Sequence, residues 1–191
     1  MKLNMIVACC VNNGIGYQNG IPWFIRNDLK YFSKTTKGQT KKGNKNNAII
    51  MGRRTWESLP KKPLPQRHNI VLSRSVEIDK IIKNSSSGNT SCFQSSKQAI
   101  YFCKQQDFDE VWIIGGTEIY KHFYEEYTDD INYICVTRVN KEYICDVYFP
   151  EISEKFTMTN CFLTTEYDEA TKENIEVEYQ TYTPYKHYSK S

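Results

Sequence analysis

Short apolar runs of strand length alternate with helical stripes along most of this chain. Residues 3–11 form a nearly unbroken apolar run, the mark of a strand covered on both faces. Residues 48–51, 69–72 and 111–114 repeat that pattern, and residues 131–139 are β-branched and strand-like. Between the runs the period changes. Ile25, Asp28, Leu29 and Phe32 fall at the i, i+3, i+4, i+7 spacing of a buried helical stripe, with Arg26, Lys30 and Lys34 on the other side. That helix is expected to end near Gly38. A short helix over 52–59 stops at Pro60, and further helices are expected over 95–104, with Ser95 or Ser96 at its start, and over 118–126. The last third is rich in Thr, Tyr, Val and Ile. It predicts a terminal antiparallel hairpin of 161–167 against 175–183, with turn residues between. Strand and helix alternate until this hairpin, so the class is α/β.

The polar segments divide these elements. Residues 12–20 carry Gly14, Gly16 and Gly20 and read as a flexible loop. Residues 37–47 read as a mobile surface loop, 84–91 as a polar loop rich in serine, and 184–191 as a loose tail. The 191 residues are expected to make a single domain over 1–183, with 184–191 as its flexible end.

Charge changes the picture little. Twenty-five basic against 22 acidic residues leave +3, too weak a bias to argue for nucleic acid, and the lysines are scattered through polar loops. The seven cysteines show no Cys-x-x-Cys or Cys-x-x-His spacing, and most lie in apolar runs where a free thiol behaves as a small hydrophobe. That usage argues for a reducing compartment and against zinc or a disulfide scaffold. No signal-peptide pattern and no long apolar span is present, so the expectation is a cytoplasmic protein that needs no membrane.

Candidate chemistry begins with Asp28, a carboxylate on or beside the face that should be dry. Such a group must find donors or shift its pKa upward, and either outcome suits binding of a polar ligand in an apolar pocket. A flank carboxylate paired with a lysine or an amide is the bland alternative. Two junctions then share the layout of apolar strand, glycine, helix start: Met51-Gly52-Arg53-Arg54-Thr55 and Ile114-Gly115-Gly116-Thr117. Helix starts offer free amides and a partial positive charge, which suits phosphate. With the paired arginines and the basic site at Ser73-Arg74, the distribution fits a dinucleotide bearing an extra 2′-phosphate. No Walker motif and no Gly-x-Gly-x-x-Gly after a strand appears, which disfavours ATP hydrolysis and the ordinary dinucleotide fingerprint. His68, His122 and His187 show no spacing that suggests a catalytic triad.

Taken in order, Ile6-Val7-Ala8, Asn13-Gly14-Ile15-Gly16, Ile21-Pro22-Trp23, Asp28 with Phe32, Met51 to Trp56, Arg67 with Asn69, Leu72-Ser73-Arg74, Ile114-Gly115-Gly116 with Tyr120, Thr137, and Asp146 with Phe149-Pro150 resemble the dihydrofolate reductase family. Each motif is weak alone; the ordered set is highly specific. The resemblance covers residues 3–183. It implies a three-layer fold with a mainly parallel eight-stranded sheet, helices on both faces and the C-terminal antiparallel hairpin. It also implies NADPH-dependent reduction of 7,8-dihydrofolate to tetrahydrofolate, serving one-carbon metabolism and thymidylate synthesis in a monomeric antifolate target.

By the same resemblance, Asp28 is the acid that holds the pterin ring, Thr137 its hydroxyl partner, and Trp23 the holder of an ordered water. Ile6, Val7, Ala8, Ile21, Phe32, Leu59 and Leu64 form apolar walls, and Arg67 takes the glutamate carboxylate with its guanidinium fork. Ile114 and Tyr120 flank the nicotinamide and pterin. The cofactor set implied is Ala8, Asn13, Gly14, Ile15, Gly16 and Gly20 in the closing loop; Gly52, Arg53, Arg54 and Thr55; Leu72, Ser73, Arg74 and Ser95; and Ile114, Gly115, Gly116, Thr117, Glu118, Ile119 and Tyr120. No metal is implied. Hydride reaches C6 of the pterin, and water carries the proton to N5. The chain departs from the family at residues 24–27, where many relatives have proline. It departs again at Ser95-Ser96, where a basic residue often grips the 2′-phosphate. A related pterin or pyrimidine reductase is the nearby alternative, with Arg67 against it. A non-catalytic RNA-binding module is the alternative from another class, and typical aromatic-basic motifs are missing.

Overall fold

Among the described residues, ten strands and four α-helices follow the alternation along the chain. They are β1 (Lys2–Cys10), β2 (Gly14–Gly16), α1 (Arg26–Lys37), β3 (Ala48–Gly52), α2 (Arg53–Ser58), β4 (His68–Leu72), β5 (Thr90–Phe93), α3 (Ser96–Gln105), β6 (Glu110–Ile113), α4 (Thr117–Glu126), β7 (Ile131–Val139), β8 (Val147–Tyr148), β9 (Phe156–Asp168) and β10 (Glu173–Pro184). This computed structural model describes residues 1–37, 47–75, 77, 80, 88–106 and 108–185. The expectations for residues 38–46, 84–87 and 186–191 lie outside the described residues.

Eight strands make one sheet in the order β5-β4-β3-β6-β1-β7-β10-β9. Neighbours run parallel except at β10, which is antiparallel to both β7 and β9. Parallel pairs need crossovers, and among the described residues α1 and α2 pack on one face of the sheet and α3 and α4 on the other. Successive side chains on a strand point to opposite faces. Met5, Val7 and Cys9 of β1 therefore pack with Ala99, Ile100 and Cys103 of α3 and with Tyr120 and Phe123 of α4. Ile6 packs in the opposite layer with Trp56 of α2 and with Tyr31 and Phe32 of α1. Ser95 caps α3, its Oγ accepting from the Gln98 amide at 3.3 Å, which decides between Ser95 and Ser96.

Four readings of the pattern need correction. Leu29 is 47 % exposed rather than buried, because the face of α1 turned to the sheet follows Asp28, Phe32 and Thr36, one turn apart each. Residues 12–20 are not simply a flexible loop: β2 lies within them and pairs antiparallel with the short β8, with the Phe149 amide donating to Asn13 O at 2.8 Å. Thr90 and Ser91 belong to strand β5, whose polar composition hides a parallel pairing with β4. The terminal hairpin is longer than expected, because its two strands support each other through Phe156 and Pro184, well beyond the β-branched stretch.

Candidate active site

One face of α1 builds the first half of the site. Asp28, Phe32 and Thr36 recur every fourth residue, so they lie one above another over about 12 Å. Asp28, at the N-terminal end of the row, is half-buried and faces β7, where Thr137 is buried and hydrogen-bonds to it. Burial raises the Asp28 carboxyl from 3.8 to about 6; the Thr137 hydrogen bond opposes this, and the nearby charge of Glu166 adds to it. The β7 register puts Thr137 beside Ala8 of β1 on one side and Tyr179 of β10 on the other. Tyr179 stacks obliquely on Tyr31, with ring centroids 4.7 Å apart.

Phe32 occupies the middle of the row, packed with Leu59 and Leu64 against Ile6 and Ile114. Thr36, fully buried, closes the far end. Its Oγ1 donates to Phe32 O at 2.8 Å and accepts from Arg67 Nη1 at 2.5 Å. Arg67 is only 4 % exposed, and its guanidinium stands 5.8 Å from the Phe32 ring centroid. Burial pulls its pKa below the ordinary arginine value, and no acidic partner is recorded for it among the described residues. Asn69 holds this arginine in place. Its Oδ1 accepts from the Leu64 amide, and its Nδ2 donates to Leu64 O and Arg67 O, all at 2.9 Å. A buried asparagine with both ends satisfied is a rigid brace for the turn over 64–67.

The entry to α1 needs no proline. Asp168, buried at the end of β9, accepts from the Phe24 amide at 2.8 Å, the Tyr143 hydroxyl at 2.7 Å and the Thr171 hydroxyl at 2.8 Å. Burial works against ionisation there, but these donors hold the Asp168 carboxyl below the usual carboxylate value. Trp23 is thereby fixed, 4 % exposed and 5.2 Å from the Tyr143 ring. Asp168 reads in the sequence as an ordinary turn residue, and nothing local marks the contact it makes 144 residues away. Tyr179 and Glu166 are also invisible locally, since they reach the Asp28 neighbourhood only through the register of β10 and β9.

The two strand-glycine-helix junctions meet. The Gly52 amide donates to Gly115 O at 2.7 Å, and the Ile114 amide to Ile50 O at 2.9 Å. Gly115 has φ +108°, and a Cβ on it would lie 2.8 Å from the Tyr120 ring, so only glycine fits. Tyr120 donates its hydroxyl to Ile6 O at 2.7 Å. Both helices that leave these junctions lack a side-chain N-cap hydrogen bond, and the buried Thr117 Oγ1 has no partner. A cavity of about 350 Å³ beside α2 is lined by Asn19, Arg53, Arg54, Glu57 and Ser58. Glu57 lies 3.7 Å from Arg53. Leu72 ends β4, and the Ser73 amide donates to Phe93 O at 3.0 Å, so exposed Arg74 and Ser95 each lie two residues beyond the paired ends of β4 and β5.

Some expected wall residues stand elsewhere. Val7 lies in the opposite layer from Ile6, because alternation along β1 turns its side chain away, so only its backbone is available to the cleft. Ile21 is 60 % exposed and stands at the rim. Asn13 uses its Oδ1 to accept from Arg138 Nη1 at 2.7 Å. Gly16 O accepts from the Asp146 amide at 3.0 Å, and the Gln18 amide donates to Asp146 Oδ2 at 3.0 Å, so Asp146 ties residues 14–18 to the segment before β8.

A mainly parallel sheet with an acid and a buried arginine along one helix face, and two glycine junctions beside them, defines an α/β protein built for a small organic ligand. Comparison with known proteins sharpens this. The family described as Dihydrofolate reductase matches residues 2–184. The dihydrofolate reductase of Aedes albopictus is 33% identical over 187 residues, covering 95% of this chain and 96% of its own length. That of Drosophila melanogaster is 35% identical over 158 residues, covering 82% and 83%, and that of Gallus gallus 40% over 162, covering 81% and 80%. The chain belongs to the dihydrofolate reductase family. It is an oxidoreductase of folate metabolism that reduces dihydrofolate, a small-molecule substrate, with a nicotinamide cofactor. No helix among the described residues is long and apolar enough to cross a membrane.

Proposed function

We propose that the cofactor is NADPH, that the product is 5,6,7,8-tetrahydrofolate, and that Asp28, Trp23 and Thr137 form the catalytic group. The observation that carries this reading is the row along α1. It offers a carboxylate with a raised pKa at one end, an aromatic ring in the middle and a buried guanidinium at the other. A flat heterocycle with amino donors, an aryl spacer and an acidic tail matches that order. Asp28 accepts from the pterin amino group and ring nitrogen. Thr137 steadies Asp28, and Trp23 holds a water near them. Ile6, Phe32, Leu59 and Leu64 exclude bulk water around the rings, with Ala8 and Ile21 at the margin. Arg67 takes the tail carboxylate in a bidentate pair, which offsets the cost of its own burial.

The fit to a phosphorylated dinucleotide rests on the orphaned Thr117 hydroxyl and the uncapped helix starts. Gly115, Gly116 and residues 117–120 would hold the pyrophosphate, Gly52 to Thr55 the second phosphate junction, and Ser73, Arg74 and Ser95 the 2′-phosphate. When bound, the reduced nicotinamide supplies the hydride that reaches C6. The chain's own residues orient the pterin, keep the site dry and leave water as the path for the proton to N5, since no side chain of this set is a direct donor there. Residues 13–20 would close over the site. A monomer in the cytoplasm completes the proposal.

The test is direct. Purified protein with NADPH and dihydrofolate should consume nicotinamide absorbance, against a folate-free control and against NADH. Turnover equal with NADH, or none with either, would overturn the cofactor assignment.

A further inference from the structure

Two thiols from distant parts of the chain meet beneath residues 13–20. Cys10 ends β1 and is buried; Cys145 is half-buried in the segment before β8; their Sγ atoms are 3.8 Å apart. Each is held independently. Cys10 Sγ donates to Asn12 Oδ1 at 3.0 Å, and Cys145 O accepts from the Tyr148 hydroxyl at 2.8 Å. Gly14 passes so close that a Cβ there would stand 2.5 Å from Cys145 Sγ and 2.9 Å from Cys10 Sγ. The sulfurs thus lie directly against the backbone of β2. Cys9 cannot join them, since its side chain enters the opposite core layer. No third ligand makes a metal site, because no group of three His, Cys, Asp or Glu fit to hold an ion occurs among the described residues.

We propose that Cys10 and Cys145 form a modification site, a dithiol that a peroxide closes to a disulfide across β2. A disulfide is about 2.0 Å long, so closure asks for an approach of about 1.8 Å, the scale of small side-chain rotations. Cys145, the more accessible sulfur, attacks a peroxide oxygen. The O–O bond breaks, one water leaves and a sulfenic acid forms. Cys10 sulfur then attacks Cys145 sulfur, the S–O bond breaks and a second water leaves. Two thiols lose two electrons, and one hydrogen peroxide is reduced to two waters.

Burial, then the adjoining Cys10 and the charge of Asp146, push the Cys145 thiol up to about 11, against a hydrogen bond at Gly16. The Arg138 guanidinium sits nearby, donating to Cys10 O at 3.0 Å. A thiol raised in this way is scarcely ionised near neutral pH, so closure is slow and speeds up as pH rises. This is a site for sustained oxidation rather than a fast sensor. The bond would tie β1 to the segment carrying Asp146 and restrain residues 13–20 between them. The effect on turnover rests on the proposed closing role of those residues; the linkage itself does not.

The full chain is treated with hydrogen peroxide at pH 8, alkylated and digested without reductant. A peptide pair joined through Cys10 and Cys145 is expected, absent from Cys145→Ser and, should that variant fold poorly, from Cys10→Ala. Dihydrofolate-dependent turnover should fall about threefold or more with the linkage and return with dithiothreitol, while Cys145→Ser keeps its rate under peroxide. Peroxide-treated protein whose Cys10 and Cys145 are alkylated, singly oxidised or joined to other cysteines overturns the proposal. A Cys10–Cys145 linkage with unchanged turnover upholds the site and overturns the closing role of residues 13–20.

Discussion

The two ends of the site are built on different physical terms. Along α1, polar groups are buried and already engaged: Thr137 holds Asp28, Thr36 holds Arg67, and Asn69 braces the turn that delivers Arg67. Around the glycine junctions, Arg53, Arg54 and Arg74 are exposed to solvent. A buried charge acts at short range in a poorly screening medium and is costly to leave unpaired. An exposed one is screened by salt and contributes little alone. The substrate end should therefore depend on single residues, and the phosphate end on several weak contacts together.

The largest effect that would test this contrast is at Asp28. Asp28→Asn should lower turnover of dihydrofolate at pH 7 by roughly 100-fold or more, with the affinity for nicotinamide cofactor measured by fluorescence titration little changed. Turnover that survives would remove the acid from the mechanism. The same variant gives a stability test with a definite sign. A carboxyl whose pKa is raised from 3.8 to about 6 binds its proton more tightly folded than unfolded. Its contribution is thus favourable at low pH and is lost as pH rises through that window. Asp28→Asn should gain roughly 1–3 kcal/mol over wild type at pH 7, a gain that shrinks as pH falls and vanishes below about pH 3 in denaturant titrations.

Arg67→Leu comes next. It should raise the KM for dihydrofolate about 10- to 100-fold with kcat nearly kept. A pterin lacking the acidic tail should be turned over equally by both forms, and a loss on that truncated substrate would show a structural rather than a binding role. Asn69→Ala should follow, destabilising by about 1–3 kcal/mol through the unpaired backbone groups at Leu64 and Arg67. It should also weaken dihydrofolate binding more than cofactor binding. The smallest effect is expected at the phosphate end. Arg74→Ala should narrow the preference for NADPH over NADH by about 3- to 10-fold, and less at high salt. A 100-fold collapse from this one exposed residue would break the contrast.

How much of this was legible beforehand depends on the range of each signal. The nearly continuous apolar runs of β1, β3 and β6 were evident because strands buried on both faces carry few polar positions, Asn4 being the one inside β1. The glycine junctions and a serine cap at 95 or 96 were evident because backbone geometry and capping act within a few residues. Strand β5 was not, since its polar residues sit on a pairing that only β4 supplies. Leu29 was misjudged because spacing defines a helix stripe only to within a residue or so, and the sheet beneath decides which edge is covered.

By itself the sequence determined the alternation of elements, the chemical types gathered near the site and the ordered motifs that mark the family. Those are properties of neighbouring residues or of their order, and they survive without coordinates. Tertiary structure alone decided that Val7 turns away from Ile6's side of the sheet, that Asp168 secures the entry to α1, that Glu166 adds its charge near Asp28, and that Cys10 meets Cys145. Each is a contact across more than a hundred residues or a choice of sheet face. Strand register sets both, and register is fixed by the packing of the whole sheet rather than by any local preference.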